Sequence, residues 1–366
     1  MKNTFGNAIG ITLFGESHGE AVGVVIDGLA PGIEIDREEI SRMLTLRRPS
    51  GDISTARVER DEYRIISGEM NGYTTGAPLT VIIPNENVSS KDYSKIKDTP
   101  RPSHADYAAH CKYHGYEDYR GGGHFSGRIT APLVVAGAIL TGALKKKGVH
   151  IGTHISALHG VRDRDFESIR TDLELLKGKS FPTLSDGAEE KMRKEILAAR
   201  GEGDSVGGVL ESAIVGLPAG VGEPWFDSVE SIISHLLFSV GGVKGVEFGD
   251  GFGLARLLGS EANDPFCIED GEIRTKTNRS GGINGGITNG MPVIVRCAVK
   301  PTPSIYKEQA TVNLVSMTEE QLIIEGRHDP AIIHRARVVV DAVLAIAVAD
   351  LLTQRFGTDY LCEENK

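Results

Sequence analysis

Arg47, Arg48, Arg57, Arg60 and Arg64 fall within eighteen residues of a chain whose formal net charge is −10, and Arg101, Arg120 and Arg128 follow. Arginine carries a planar fork of donors that grips phosphate or carboxylate through two bonds at once. Arg47 and Arg48 taken singly could do no more than complement a helix C-terminus, but a set this dense points to an anionic ligand. Candidate proton carriers accompany it. His18, in GESHG, lies between Ser17 and Gly19, where small neighbours leave an imidazole accessible for proton transfer near neutral pH. The stretch RPSHADYAAHCKYHGYEDYRGGGHFSGR, residues 101–128, adds His104, His110, His114 and His124. His110 and His114 have metal-like spacing, yet no suitably spaced carboxylate or cysteine completes a set, so no metal is expected. Its GGG, followed by Ser126 and a helix start at Thr130, reads as an anion cradle at a helix N-terminus.

Late in the chain, RSGGINGGITNG (279–290), KPTPS (300–304) and GRHDP (326–330) supply backbone amides, a cation and an Arg-His-Asp triplet. GRHDP could equally be a helix-entry turn with Asp329 as the cap. None of these matches a dinucleotide fingerprint or a P-loop. The residues alone describe an anion-binding, phosphate-handling enzyme with histidine and aspartate proton carriers, and leave its reaction unnamed.

The elements that must position these residues are legible in outline. Strands are expected at 9–14, 22–27, 79–83, 149–155, 209–215 and 293–299, each a β-branched run bounded by turn residues. Asp36 with Glu39 three residues on opens a helix that stops near Arg48, before Pro49. Two further helices, 130–147 and 335–352, are apolar nearly all round and belong in an interior with sheets outside them. Residues 162–203 are charged and periodic, with helices near 166–177 and 188–200, and read as a surface excursion. Residues 15–33 also lie without a gap on 203–221: Gly15, Ser17, Gly19, Ile26, Gly28, Leu29 and Gly32 meet identical residues, and His18 meets Val206. Residues 71–84 also resemble 284–297, with Thr74/Thr288, Pro78/Pro292 and Val81/Val295 coinciding. Two related halves, about 1–160 and 203–352 of a single domain 1–366, are therefore expected. The glycine count, 45 of 366 residues against a usual ~7%, fits a chain of tight turns.

FGESHG, LRRP with a TxR about eight residues on, RPSHADY, DYRGGG, VKGVEFGDGF, SGGINGGITNG, KPTPSI and GRHDP, in this order, resemble the chorismate synthase family from nearly the first residue to about Asp350. The resemblance implies an α+β fold, a β-α-β sandwich of antiparallel sheets around buried helices, assembled as a homotetramer. It implies anti-1,4-elimination of phosphate from 5-enolpyruvylshikimate 3-phosphate to give chorismate, with reduced FMN required although no net redox change occurs. Carried over by position, His18 donates a proton to the departing phosphate, His104 faces the flavin pyrimidine edge, and Asp329 manages the proton leaving substrate C6. Arg47, Arg48, Arg57, Arg128 and Arg327 clamp phosphate and carboxylates. His124, Phe125, Ser126, Gly241, Gly242, Gly285, Lys300, Pro301, Thr302, Pro303, Ser304 and Arg327 line the flavin site. Departures stand at His124 and Phe125, where the family has Arg-Ser, at Gly241 and Gly242 for Asn-Ala, at 51–53 without an arginine, and at His334 for proline.

A flavin- or anion-binding protein without chemistry is a second reading, which intact His18, His104 and Asp329 disfavour. A metal-dependent phosphatase is a third. The acidic balance disfavours nucleic acid and anionic membranes as partners. Four scattered cysteines and no leader-like start indicate a reduced cytoplasmic protein. With no sizeable insertion for an NADP-type nucleotide, reduced flavin is expected from a separate source.

Overall fold

A helix with no polar face needs cover on every side, and the chain has two. In the computed structural model, which describes residues 2–49, 51–54, 60–86, 97–324 and 328–362, these are Thr130–Lys146 and Ile333–Phe356. They pack on each other between two five-stranded antiparallel sheets. One sheet runs in the order Thr4–Phe5, Gly10–Gly15, Ala21–Asp27, Leu79–Pro84, Arg64–Ser67. The other runs Val243–Phe248, Val293–Val299, Gly208–Val215, His150–Leu158, Val161–Arg162. In Leu79–Pro84 every second side chain is buried, the pattern of a strand with one face on the core.

The helices are in close contact at Gly137, where an added Cβ would lie far inside contact with Ala342. Gly137 is seven residues into one helix and Ala342 nine into the other, about 10 and 13 Å at 1.5 Å per residue. Their N-termini emerge at the same end of the sandwich, because Arg47, whose O accepts from Arg335 Nε (2.8 Å), also donates from Nη1 to Gly127 O (3.5 Å). Near the opposite end the fully buried Asp350 accepts the backbone N–H groups of Asn7 (3.2 Å), Ala8 (2.7 Å) and Ile9 (2.8 Å), fastening the chain start to the core.

Expected and observed elements agree in type and differ by a few residues at their ends. The Arg37–Arg47 helix is capped by Asp36, which accepts from Glu38 and Glu39 N–H at 3.0 and 2.9 Å. Glu39 does not reach back to close a capping box. Arg42 and Lys145 both bind it at 2.7 Å, and despite its burial they hold its carboxyl down to about 2. The 162–203 segment is not a mere surface excursion: Phe181, Met192 and Ile196 are buried in the main core. His154, wholly buried, joins this segment to the sheet through Asp163 (3.2 Å) and Glu211 (3.0 Å). Burial opposes its charge, but the two carboxylates raise its pKa.

Positions matched between the two sequence segments have matched geometry. Ile26 pairs with Leu79 and Ile214 with Val293. Thr74 Oγ1 donates to Ala30 O and accepts from Ile33 N, while Thr288 Oγ1 donates to Pro218 O and accepts from Val221 N.

Alanine is a better helix former than glycine by about 1 kcal/mol, whereas overfilling a tight contact costs about 1–3 kcal/mol. Gly137→Ala is expected to lower the unfolding free energy in urea. A more stable variant would show that the two helices are not in close contact there.

Candidate active site

Gly121, Gly122 and Gly123 all have positive φ, at 58°, 82° and 53°, a run that L side chains resist at about 1–2 kcal/mol each. The reason for three glycines lies in what touches them. A Cβ on Gly121 would enter the His18 imidazole, and a Cβ on Gly122 would sit 3.4 Å from His104 Cε1. Two imidazoles from sequence-distant loops thus meet one bare turn. The turn is stitched to the His18 loop by Ser17 N–H on Gly123 O (3.1 Å) and by His124 Nδ1–H on Gly15 O (2.7 Å). His18 is buried here rather than accessible as its small neighbours suggested, because the glycine turn covers it. Asp118, bound by Arg120 at 2.8 Å, is held below the usual carboxylate range by that arginine, with His18 contributing.

His104 is oriented by Asp106, whose Oδ1 lies 2.5 Å from Nδ1. Arg101 binds the same carboxylate from Nε and Nη2, each at 2.8 Å. Burial opposes the Asp106 charge, yet Arg101 and His104 hold its carboxyl well below the usual range. A fixed carboxylate at Nδ1 keeps that nitrogen a donor and leaves Nε2 for a ligand. Lys300 donates to Ser103 O (2.5 Å) and Ser103 Oγ (2.9 Å), which brings the KPTPS loop beside His104. Burial and nearby Lys244 lower the Lys300 pKa. Gly242 O accepts from Lys300 N at 2.9 Å, placing Gly241 and Gly242 alongside. Between Pro301 and Pro303, Thr302 O takes the Ser205 hydroxyl at 2.7 Å, and its buried Oγ1 has no partner among the described residues. Ser304 is buried next to them.

The arginines converge on one carboxylate that spacing did not reveal. Asp61, its side chain fully buried, takes Arg47 Nη2 at 2.7 Å, Arg48 Nε at 3.4 Å and Arg128 Nη1. Burial would raise the Asp61 pKa, but Arg47 and Arg128 lower it. Asp329 joins through Arg335, whose Nη1 donates to Asp329 Oδ2 (2.6 Å) while Nε donates to Arg47 O (2.8 Å). Asp329 is therefore not a helix cap: the helix begins at Ile333 with Ile332 in the cap position and no side-chain cap bond. Arg57 and Arg327 lie outside the described residues.

Phe125 and Ser126 continue the glycine turn, whereas Gly285 stands apart from it. Gly285 occupies the turn between Ile283–Asn284 and Ile287–Thr288, before the Val293 end of a seven-residue strand whose far end leads to Lys300. That strand spans about 20 Å from Val293 to the Lys300 end. Phe125 is partly exposed and meets Tyr113 edge-on at 6.1 Å. Ser126 accepts from Arg128 N at 3.3 Å. His334 donates or accepts at Ser54 Oγ, 2.9 Å away, and burial lowers its pKa to about 3 with help from Arg335 and Arg193.

Residues 9–353 match the family model described as Chorismate synthase. The chain is 48% identical over 351 residues to the chorismate synthase of Pyrococcus abyssi and 47% over 350 to that of Thermococcus kodakarensis, covering 96% of this chain and 97% of either relative. It is 45% identical over 354 residues to the chorismate synthase of Dehalococcoides mccartyi, covering 96% of both. A solved structure titled "Crystal Structure of Chorismate Synthase" aligns with a TM-score of 0.74 at 26% identity, over 96% of this chain and 94% of that one.

Gly121→Ala and Gly122→Ala should each lose about 1–2 kcal/mol of unfolding free energy from their backbone conformation. Only Gly121→Ala should also shift the His18 Cε1–H resonance, since only its Cβ enters that ring. Equal shifts in both variants would place His18 away from the turn.

Proposed function

The chain belongs to the chorismate synthase family, and on that premise we propose which residues carry its reaction. It is a carbon–oxygen lyase that performs the anti-1,4-elimination of phosphate from 5-enolpyruvylshikimate 3-phosphate, giving chorismate on the route to aromatic amino acids. The observation that carries the residue assignment is the convergence of two imidazoles on one glycine turn beside an arginine cluster.

Arg47, Arg48 and Arg128 hold the substrate's phosphate and carboxylates, together with Arg57 and Arg327. A guanidinium cluster sharing one described carboxylate is stabilised further by an anionic ligand. His18, pressed on Gly121, gives a proton to the departing phosphate. Asp329, fixed by Arg335, receives the proton lost from substrate C6, so the substrate sheds one proton and one phosphate and gains no electrons overall.

The Lys300 loop, Gly241–Gly242 and His104 fit an anionic flavin: they offer a cation, a buried Thr302 hydroxyl without a described partner, bare backbone and an oriented imidazole. Reduced FMN, when bound there, supplies electron density that weakens the C–O bond and recovers it. His104 keeps Nε2 available to its pyrimidine edge, while Ser126, Lys300 and the 301–304 segment line the site with His124, Phe125 and Arg327. Gly285 enters that lining from a neighbouring subunit in the proposed homotetramer, an assembly supported by the exposed Trp225, Phe226 and Phe252. Matched strand registers and Thr74/Thr288 bonds support one domain of two pseudo-repeated halves. Four free cysteines support a cytoplasmic location. The Gly127–Lys146 stretch is long and apolar enough to cross a membrane, but 83% of its window is buried in the protein. Reduced flavin comes from a separate source.

The test is an anaerobic assay with dithionite-reduced FMN and the phosphorylated enolpyruvyl substrate, following chorismate absorbance. His18→Ala should lower kcat by about 10²- to 10⁴-fold, the scale of one proton carrier, with the protein still folded by calorimetry. Retained turnover per folded molecule would make His18 structural. Arg48→Lys should raise the substrate KM by about tenfold or more as a fork becomes a point charge. An unchanged KM would move the phosphate site away from Arg48.

A further inference from the structure

We infer that Asn85 is a positioning residue that locks the His18 loop to Arg128, so that the proton donor and the phosphate-binding arginine are set by one side chain. Asn85 immediately follows the Leu79–Pro84 strand, and its own N–H continues the pairing by donating to Glu20 O at 3.0 Å. Its Nδ2 donates to Glu16 O and to Gly19 O, both at 2.9 Å, gripping the two ends of the turn that contains His18. Its Oδ1 accepts from Arg128 Nε at 3.0 Å.

The partners determine the orientation of the amide. Two carbonyl oxygens can only accept and a guanidinium can only donate, so nitrogen must face the loop and oxygen the arginine. Two donors and one acceptor at one branch point is what a primary amide offers. A carboxylate of the same shape would set oxygen against both carbonyls, and an apolar side chain would remove all three bonds, leaving Glu16 O only the Gly19 N–H at 3.1 Å. Arg128 in turn donates from Nη2 to Pro84 O (3.1 Å) and from Nη1 to Asp61, so its fork is fixed along both edges. His18 is fixed from one side by Gly121 and from below by the loop that Asn85 clamps. Misplacing a reacting group by about 1 Å can cost a hundredfold in rate.

This inference rests on the assignment of His18 as proton donor and Arg128 as a substrate ligand. The experiment is a double-mutant cycle in the anaerobic assay with reduced FMN, using Asn85→Asp and Asn85→Ala in the parent and in His18→Ala, with melting temperatures for each. In the parent, either substitution should lower kcat about ten- to a hundredfold and raise substrate KM about three- to tenfold, the range of one hydrogen bond. In the His18→Ala background the kcat effect should vanish while the KM effect persists, because the loop no longer has an imidazole to place. Equal kcat losses in both backgrounds, or losses that only follow melting temperature, would overturn the positioning role. If His18→Ala itself keeps parental turnover, the failure lies with the assignment of His18. Should Asn85→Asp not fold, Asn85→Ala, which adds no charge, carries the same comparison.

Discussion

Two helices that are apolar nearly all round set the terms for this protein. Neither Thr130–Lys146 nor Ile333–Phe356 can face water, so each must be covered by sheet and by the other. Both N-termini come to one end of the sandwich, where Arg47 reaches the Gly127 carbonyl ahead of one helix and Arg335 in the first turn of the other. Part of the arginine cluster hangs from those ends, Arg128 just before one helix and Asp329 and Arg335 around the start of the other, while Arg47 and Arg48 come from the end of the Arg37–Arg47 helix. Two positive helix ends also favour an anion there, adding to the guanidiniums.

The second constraint is electrostatic. Arg47, Arg48 and Arg128 would repel one another if left alone in a partly buried space, and Asp61 holds them together in the absence of substrate. A resident carboxylate keeps the forks aligned, so less ordering would remain for the proposed binding of an anionic substrate to accomplish. The same logic recurs at Asp106, which orders Arg101 and His104, and at Asp350, which orders the chain start by accepting its backbone amides.

Backbone without side chains solves a different problem. His18 and His104 approach one turn closely enough that a methyl group at Gly121 would collide with a ring. Imidazoles placed this way are held by packing and by a few directed hydrogen bonds rather than by a long hydrogen-bonded scaffold. Burial of His18 follows directly.

Much of this was readable from residue types in order. The Asp36 cap, the strand runs such as 293–299 and the two all-apolar helices are local, because capping, alternation and amphipathicity are set by neighbours along the chain. The arginine run and the histidine motifs announced an anion-handling site for the same reason. Asp61, Asn85 and Arg335 were not legible, since a lone aspartate, asparagine or arginine has no period or spacing to mark it. Their importance comes from partners such as Asn85 with Glu16 and Arg335 with Arg47, which are 69 and 288 positions apart. Nor could spacing show that a glycine turn would bury His18, that Asp329 would bind Arg335 rather than cap a helix, or that Gly285 would stand a strand's length from Lys300. Local sequence determined which elements form and which chemical groups are present. Only the packing of two apolar helices between two sheets decided which groups meet, because contacts across such distances exist only once the core has closed.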